Sequence, residues 1–323
     1  MAQARGTQTT TVLVEEATYK TTPGTPAAQV LYLTANSIQA QQNRLDSNTI
    51  GTDRERTQPV AGNINVAGPL DFEIGAEWIG TLLKHVHGTN NTTGADPYVH
   101  TMELGDLPVG FMIEKDFGSN ISGSGRYQYN NGCKVASATF TFPQEGFPTG
   151  QVQVIGASET ADSTPLDASP DDNGNTPFST FQAAIEEGGA SIAVVTQASI
   201  SVDNGLDPNS YVIGSAGERV ELPEGFATVT GSLTALFDSA TLLNKAINST
   251  ESSLKITLSR GDGLGSAGNE SIEFFVQQML YERTSPAITG PAGIEITLPF
   301  KAYKSSAGVT ALQTILKNAV ATI

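Results

Sequence analysis

The residues best suited to metal chemistry are three histidines that lie close together in the sequence: His85, His87 and His100. Imidazole nitrogens are common zinc ligands, and a zinc site needs three or four ligands that converge. No Asp, Glu or Cys stands at a clear ligand spacing beside these histidines. His85 and His87 also fall at the end of a predicted helix, where positive charge is favoured. We therefore predict no metal site and no other cofactor.

Two polar, glycine-containing segments have the look of ligand loops but lack the features that such loops require. The segment GDGLGSAGN at 261–269 would suit a phosphate only if a helix followed it, because a helix N-terminus faces the phosphate. The residues that follow, SIEFFVQQML, have the composition of a strand, so we predict a hairpin tip. The segment DDNGN at 171–175 lacks the spacing and the closing Glu of a calcium loop, so we predict a surface loop.

Two pairs of adjacent glutamates are the candidates for acid–base catalysis: Glu15–Glu16 and Glu186–Glu187. Neighbouring residues on a strand point to opposite faces, so neither pair converges on one substrate, and we interpret both as solvated. The sequence has no Gly-x-Ser-x-Gly motif, and we expect its one cysteine, Cys133, to be a buried apolar residue. A β-rich hydrolase would therefore lack a catalytic set, and we predict that the protein is not an enzyme.

The composition is typical of a turn-rich, mainly β protein. Among 323 residues there are 33 glycines and 16 prolines, and only 15% of the residues are charged. The net charge of −16 disfavours a protein that grips DNA, because an acidic surface repels phosphate, but it suits a wall along which DNA slides. One cysteine allows no internal disulfide. No stretch of about 18 apolar residues occurs, so we expect no membrane-spanning helix.

An internal duplication sets the positions of the elements. Residues 43–90, NRLDSNTIGTDRERTQPVAGNINVAGPLDFEIGAEWIGTLLKHVHGTN, match residues 204–250, NGLDPNSYVIGSAGERVELPEGFATVTGSLTALFDSATLLNKAINST. The matched positions include Asn43 with Asn204, Leu45 with Leu206, Asp46 with Asp207, Gly62 with Gly225 and Gly68 with Gly231. The similarity resumes, at a smaller separation, between FMIEKDF at 111–117 and LKITLSR at 254–260. The change in separation places a polar loop insertion at 87–106 of the first copy.

Each copy is predicted to contain a strand around its matched glycine, then one helix, then about three alternating strands. The helices are expected at 77–87 and 239–248, with apolar faces that pack on the strands. The predicted module core is Trp78, Leu82, Leu242 and Leu243. A further short helix is predicted near the end of the chain, through Leu312, Ile315 and Leu316.

The chain divides into four predicted segments. They are an N-terminal arm (1–30), a first module (31–158), an acidic linker or long surface loop (159–190) and a second module (191–323). The arm is rich in Thr and Pro and carries a short apolar patch at 12–14. It is expected either to dock on a neighbouring chain or to be a mobile terminus.

Short pieces in a fixed order along most of the chain carry a family resemblance. The pieces are EEATYKTTPGTPA at 15–27, the segment 43–56, GNINVAGPL at 62–70, NGCKVASATFTF at 131–142, GERVELPEGFATVTGSLTALFD at 217–238 and GIEITLPFKAY at 293–303. In this order and spacing the chain resembles the tail tube proteins, or major tail proteins, of long-tailed bacteriophages in their two-module form. The resemblance implies a mainly β fold with two tandem β-sandwich or half-barrel modules. Each module has one flanking α-helix, and neighbouring subunits complete a β-barrel tube.

The resemblance also implies a function and partners. The protein would be a structural virion protein that forms stacked rings, assembled in the bacterial host cytoplasm. The tape measure protein and then viral DNA would pass through the lumen without tight binding, and tail-end and terminator proteins would cap the tube. Six modules per ring would make the ring a pseudo-sixfold trimer of two-module chains, with a hexamer as the alternative. Candidate ring-stacking contacts are Val12, Leu13, Val14, Tyr98 and Phe178.

A second hypothesis is a β-sandwich surface or adhesion protein of the virion that binds carbohydrate. Such a protein would need exposed aromatic platforms. Aromatic residues make up only 7% of this chain, and most of them fall in strand patterns, which disfavours this alternative.

Overall fold

The computed structural model describes residues 3–51, 54–288, 290–291 and 293–323, and antiparallel strands dominate it. The elements up to residue 156 are β1 (Thr10–Glu15), β2 (Ala28–Leu31), β3 (Ala35–Asn36), β4 (Gln39–Leu45), β5 (Val60–Glu73), α1 (Gly80–His87), β6 (Gly88–Gly94), β7 (Tyr98–Leu104), β8 (Phe111–Asp116), β9 (Tyr127–Phe142) and β10 (Thr149–Gly156). The later elements are β11 (Ser158–Asp162), β12 (Ala183–Glu187), β13 (Ala190–Ser191), β14 (Val195–Asp203), β15 (Thr228–Leu236), α2 (Thr241–Ile247), β16 (Ser252–Ser259), β17 (Ser271–Tyr281), β18 (Glu295–Ala302) and β19 (Gln313–Asn318). Short 3-10 turns lie at Gly6–Gln8 and Thr180–Gln182.

Eight strands form a continuous antiparallel sheet, which we call the central sheet. Their order is β4–β5–β10–β9–β14–β15–β18–β17. The first four strands precede residue 157 and the last four follow residue 194, so each half of the chain supplies one side of the sheet. The halves meet where β9 pairs with β14, from Ser137 opposite Asp203 to Phe142 opposite Ala198.

The strands outside the central sheet attach to both halves in the same manner. In the first half β8 pairs with β9, β1 pairs with β8, β2 pairs with β1, and β11 pairs with β9. In the second half β16 pairs with β17, β12 pairs with β16, β13 pairs with β12, and β19 pairs with β17. The hairpin β6–β7 is the addition in the first half, and β7 also pairs with β19 of the second half.

Alternation along most strands of the central sheet puts one of its faces in the core. On β10 the side chains of Val152 and Val154 are fully buried, whereas the intervening Gln153 is exposed. The core is shared by the two halves, because Phe140 of β9 lies against Phe274 of β17 with ring centroids 4.8 Å apart. We therefore expect the two halves to unfold together.

The two helices differ in how deeply they are buried. Trp78 lies two residues before α1 and is fully buried, with its ring edge-to-face against Phe72 at a centroid distance of 5.3 Å. Leu82 of α1 is also fully buried. On α2, Leu242 is buried but Leu243 is only partly so.

The predicted helix near the end of the chain is wrong. The segment that contains Ile315 and Leu316 is strand β19, and Leu312 lies just before it. It pairs with β17 on one side and β7 on the other. Alternation holds along it, with Thr314 and Leu316 buried and Ile315 half-buried. A strand with two paired neighbours satisfies its backbone groups in the ladder, so no helix is needed there.

Three segments expected to be loop, linker or arm are parts of the folded sheet. The predicted insertion at 87–106 is the hairpin β6–β7. The segment 159–190 contributes β11 and β12, and Asp171 exchanges backbone hydrogen bonds with the β2 region. The arm carries β1, which is held between β2 and β8. Each segment forms backbone hydrogen bonds within this protomer, so none is a free linker or a projecting arm in this structure.

Candidate assembly surfaces

The face of the central sheet opposite the core is lined by hydroxyl groups, and we call it the hydroxyl face. Its members come from four strands of both halves: Ser137, Thr139, Thr141, Ser199, Ser201, Thr230, Ser232, Thr234 and Thr297. Several hydroxyls meet across neighbouring strands, as Thr139 Oγ1 and Ser201 Oγ do at 3.0 Å and Thr234 Oγ1 and Thr297 Oγ1 do at 3.0 Å. These cross-strand pairs make the face polar across the boundary between the halves.

The few charged groups on the hydroxyl face are mostly carboxylates. Asp71 accepts a 2.6 Å hydrogen bond from Gln151 Nε2. Asp203 on β14 and Glu295 on β18 lie on the same face of their strands as the hydroxyl residues. Lys301 also lies on this side. The face is therefore hydrated, weakly charged and poor in groups that would bind phosphate.

The junction of the two halves is held by side chains as well as by the β9–β14 ladder. Asn204 follows β14 and is buried, and its Nδ2 donates to the carbonyl oxygens of Val86 and Val135 at 3.2 and 3.1 Å. Through these bonds a side chain of the second half supplies the hydrogen-bond donor for two backbone carbonyl oxygens of the first half.

Arg219 is the most deeply placed cation of the junction. It lies in the loop between β14 and β15 and is only 2% exposed. One terminal nitrogen donates to the carbonyl oxygens of Val66, at 3.3 Å, and Gly156, at 2.7 Å, and the other donates to Asn65 Oδ1. Its Nε donates to the oxygen of Pro208 at 2.7 Å. The planar guanidinium has several donors in a fixed geometry, which suits acceptors that converge on it. These hydrogen bonds hold the β14–β15 loop against the first half of the chain.

Tyr211, in the same loop, contacts both this arginine and the first half. The ring of Tyr211 lies 5.1 Å from the guanidinium carbon, and its hydroxyl donates to the oxygen of Ile64 at 2.8 Å. Burial lowers the pKa of the Arg219 guanidinium from its ordinary value, but that value lies so far above neutrality that the group stays charged. The neighbouring Glu218 forms an ion pair with Lys20 of the first half.

The central sheet ends in two edges that differ in form. Strand β4 forms a ladder with β5 alone among the described residues, and most of its side chains are exposed. At the other end β17 stops at Tyr281, and residues 283–288 continue without entering a ladder in the part of the chain that the structure describes. Ile288 in this stretch is 81% exposed. Unpaired edges and exposed large apolar side chains are features of surfaces that associate.

The structure does not gather the three histidines around one point. His85 Nε2 lies 2.9 Å from Glu15, His87 is bonded to Leu83 O and Thr314 Oγ1, and His100 is bonded to Thr92, Asn318 and Val320. Burial lowers the pKa of all three imidazoles, to about 4 for His87. Across the described ranges no group of three or more His, Cys, Asp or Glu side chains could hold a metal.

The glutamate pairs point in different directions, but the expectation that they are solvated is wrong for one member of each pair. Glu16 is buried and accepts backbone hydrogen bonds from Gly132 and Lys20, whereas Glu15 contacts α1. Burial raises the pKa of Glu16, while the hydrogen bond with His85 lowers that of Glu15 to about 2. Glu187 is buried against Lys245 and Ser252. These carboxylates stabilise strand contacts.

Of the five candidate ring-stacking residues, four lie inside this protomer. Val12, Leu13 and Val14 are buried in β1, and Phe178 is buried beneath Arg260, whose guanidinium carbon is 5.0 Å from the ring. Buried side chains offer no surface to another ring, so this expectation is corrected for these four. Tyr98, at the start of β7, is half-buried.

The apolar residues that do face solvent lie elsewhere. Phe181 is 97% exposed in the 3-10 turn before β12, and Phe226 is 95% exposed just before β15. Neither α1 nor α2, the two α-helices in the described part of the chain, has the length and apolar composition of a membrane-spanning segment. The loops at 261–269 and 171–175 are loops in the structure, the former as the tip of the β16–β17 hairpin.

Comparison with known protein families gives a match over most of the chain. The family model described as "Phage tail tube protein" matches residues 6–302, which is nearly the whole chain. No curated protein matches the chain.

Proposed function

The chain belongs to the phage tail tube protein family, and on that premise we propose that it is a two-module subunit whose rings enclose the lumen of the tube. Membership makes it a structural component of the virion tail that assembles with copies of itself into stacked rings. The proposal adds the number of modules in the chain, the way the ring closes and the surface that lines the lumen.

The observation that carries the proposal is the central sheet. It is apolar on one face and hydroxyl-lined on the other, and it runs without interruption from β4 to β17. Among the described residues β4 pairs with β5 alone, and the segment 283–288 that continues β17 enters no ladder. The four strands β4–β5–β10–β9 have the same pairing pattern as β14–β15–β18–β17. This recurrence supports two modules of four strands each, side by side in one wall.

Ring closure follows from the two open edges. If the β17 end of one chain meets β4 of the next, the wall continues and no edge remains exposed. Three chains with eight strands each would give a closed barrel of about 24 strands, which is wide enough for an aqueous channel, since barrels of about 16 strands already contain one. We therefore favour the pseudo-sixfold trimer over a hexamer of chains.

We assign the hydroxyl face to the lumen. Its hydroxyl groups keep a water layer on the wall, and the net charge of −16 per chain repels phosphate, so DNA passes without sticking. The tape measure protein would occupy the same lumen before DNA does. The exposed Phe181 and Phe226 and the half-buried Tyr98 are available for contacts between rings and for the proteins that cap the tube. Assembly would take place in the cytoplasm of the bacterial host.

Electron cryomicroscopy of tubes assembled from the purified protein tests the proposal. We expect rings of three chains, with Thr139 and Ser201 facing the central channel. Six chains per ring would contradict the trimer. A channel lined by the other side of the sheet would contradict the assignment of the lumen. Discrete monomers under every assembly condition would contradict the proposed function as a whole.

A further inference from the structure

The loop that carries Arg219 has a counterpart in the first half of the chain. Glu55 and Arg56 hold the same position relative to Gly68 as Glu218 and Arg219 hold relative to Gly231. The two glycines themselves occupy equivalent places, because an added Cβ would lie 2.2 Å from the oxygen of Ser37 at Gly68 and 2.2 Å from that of Ser199 at Gly231. Arg56 is therefore the counterpart of Arg219 in the duplicated sequence.

The acceptors of Arg219 also have counterparts. Val66 and Gly156 face each other as the last pair of the β5–β10 ladder. Val229 and Ala302 face each other as the corresponding pair of the β15–β18 ladder, and Val229 precedes Gly231 as Val66 precedes Gly68. The second half thus repeats the backbone geometry that receives an arginine in the first.

Arg56 does not reach these acceptors within its own chain. Strand β18 lies five strand positions away from β5 in the central sheet, a separation of about 24 Å at the usual strand spacing. Arg56 instead forms an ion pair with Asp46, and the two side chains remain 64% and 48% exposed. Within its own chain Arg56 therefore does not fill the second position.

We propose that Arg56 of one chain docks on the carbonyl oxygens of Val229 and Ala302 of a second copy, in the way that Arg219 docks on Val66 and Gly156. The contact between chains then repeats the junction within the chain. The same correspondence aligns residues 36–41, at the β3–β4 edge, with residues 198–203 of β14, which pair with β9. The β3–β4 edge of one chain therefore pairs with the segment after Tyr281 of its neighbour, in the way that β14 pairs with β9 within the chain. This inference rests on the proposed function, because it requires that chains form rings.

The first test removes the arginine. We expect Arg56→Ala to leave the protomer folded, with an unchanged melting temperature, because an exposed ion pair contributes little to stability. The protein concentration needed for assembly, measured by sedimentation and negative-stain imaging, should rise at least about tenfold, since hydrogen bonds to a charged donor are lost. Arg54→Ala, in the same exposed loop, is the matched control and should assemble as the wild type does.

The second test identifies the residue of the neighbouring chain that faces Arg56. Thr228 of β15 is the counterpart of Asn65, which accepts from Arg219. Arg56→Glu alone and Thr228→Lys alone should each weaken assembly, and the double variant should recover most of it, because opposite charges then face each other again.

The outcomes separate this inference from the proposed function. Wild-type rings together with normal assembly of Arg56→Ala would overturn the docking of Arg56 and leave the proposed function intact. Two weakened single variants without recovery in the double variant would overturn the partner assignment. A wild-type protein that forms no ring would overturn both.

Discussion

Arg219, from the second half of the chain, donates a 2.7 Å hydrogen bond to the carbonyl oxygen of Gly156 at the end of β10 in the first half. The bond joins a charged side chain to a backbone acceptor across the boundary between the halves, in a place that solvent barely reaches. Bonds of this kind are stronger than those between neutral groups, and an acceptor left without its donor in such a place is costly.

We expect Arg219→Ala to destabilise the protomer by about 3 kcal/mol, because several carbonyl oxygens lose their donor at once. Urea unfolding followed by circular dichroism measures the change. Arg219→Lys should recover only part of the loss, since an ammonium cannot match the planar fork. Arg5→Ala, at an exposed arginine, is the control. Equal stability of Arg219→Ala and Arg5→Ala would show that the junction does not depend on this side chain.

A positive charge on the hydroxyl face should slow the passage of DNA. Thr139 and Ser201 lie side by side across β9 and β14, so Thr139→Lys with Ser201→Lys would place cations on the wall at every ring. We expect tubes of normal length, with DNA release from reconstituted virions slowed several-fold and the delay reduced by salt. The control is Thr139→Gln with Ser201→Gln, which adds bulk without charge. If both double variants slow release equally, bulk rather than charge is responsible.

The strands of the central sheet were predictable because their apolar residues alternate and recur in two copies. Strand β19 was not, because its buried face carries Thr314 and Asn318. Thr314 is bonded to His87 Nε2 and Asn318 to the oxygen of Ala76, partners that lie far away in the sequence. Without those two positions, the spacing of Leu312, Ile315 and Leu316 fits a helix.

The candidate surfaces show the same limit. Open edges were expected, because a sheet that neighbouring chains complete leaves its own edges unpaired. The burial of Val12 and Phe178 was not predictable, because it depends on which strands flank them. Arg219 was missed because an arginine beside a glutamate in a polar loop is usually solvated. The signal that could have found it is the repetition of Glu-Arg at 55–56 and 218–219.

His87 should make the protein sensitive to mild acid. Burial lowers its pKa to about 4 in the folded chain from 6.5, so below pH 6.5 the unfolded chain binds the proton more readily than the folded one. The stability that depends on neutral His87 is therefore present above pH 6.5 and is lost as the pH falls toward 4. The loss amounts to on the order of 3 kcal/mol over this range.

Comparison of His87→Gln with the wild type checks this prediction. The amide has no proton to gain, so the variant should lose less stability between pH 7 and pH 4.5 in urea titrations, even if it is less stable at pH 7. An unchanged pH dependence would assign the acid sensitivity to other groups, such as His85 and His100, whose pKa values are also lowered by burial.

The two equivalent glycines of the central sheet should respond alike to substitution. A Cβ on Gly68 would lie 2.2 Å from the backbone oxygen of Ser37, and one on Gly231 would lie 2.2 Å from that of Ser199. In each case the backbone of the neighbouring segment is an obstacle that cannot move aside without disturbing the sheet, and at Gly231 the ring of Phe300 lies almost as close, at 2.3 Å. We expect Gly68→Ala and Gly231→Ala each to cost about 2 kcal/mol of unfolding free energy.

The control for this pair is Gly24→Ala, where a Cβ would meet nothing within 4 Å. That change should be neutral or slightly stabilising, because alanine restricts the unfolded chain. Assembly offers a second measurement, since Gly68 lies beside the open edge and Gly231 beside the strand that is already paired with β9. If strand spacing at the edge matters for ring closure, Gly68→Ala should weaken assembly more than Gly231→Ala at equal loss of stability. Equal effects on assembly would mean that ring closure does not depend on strand spacing beside the β3–β4 edge.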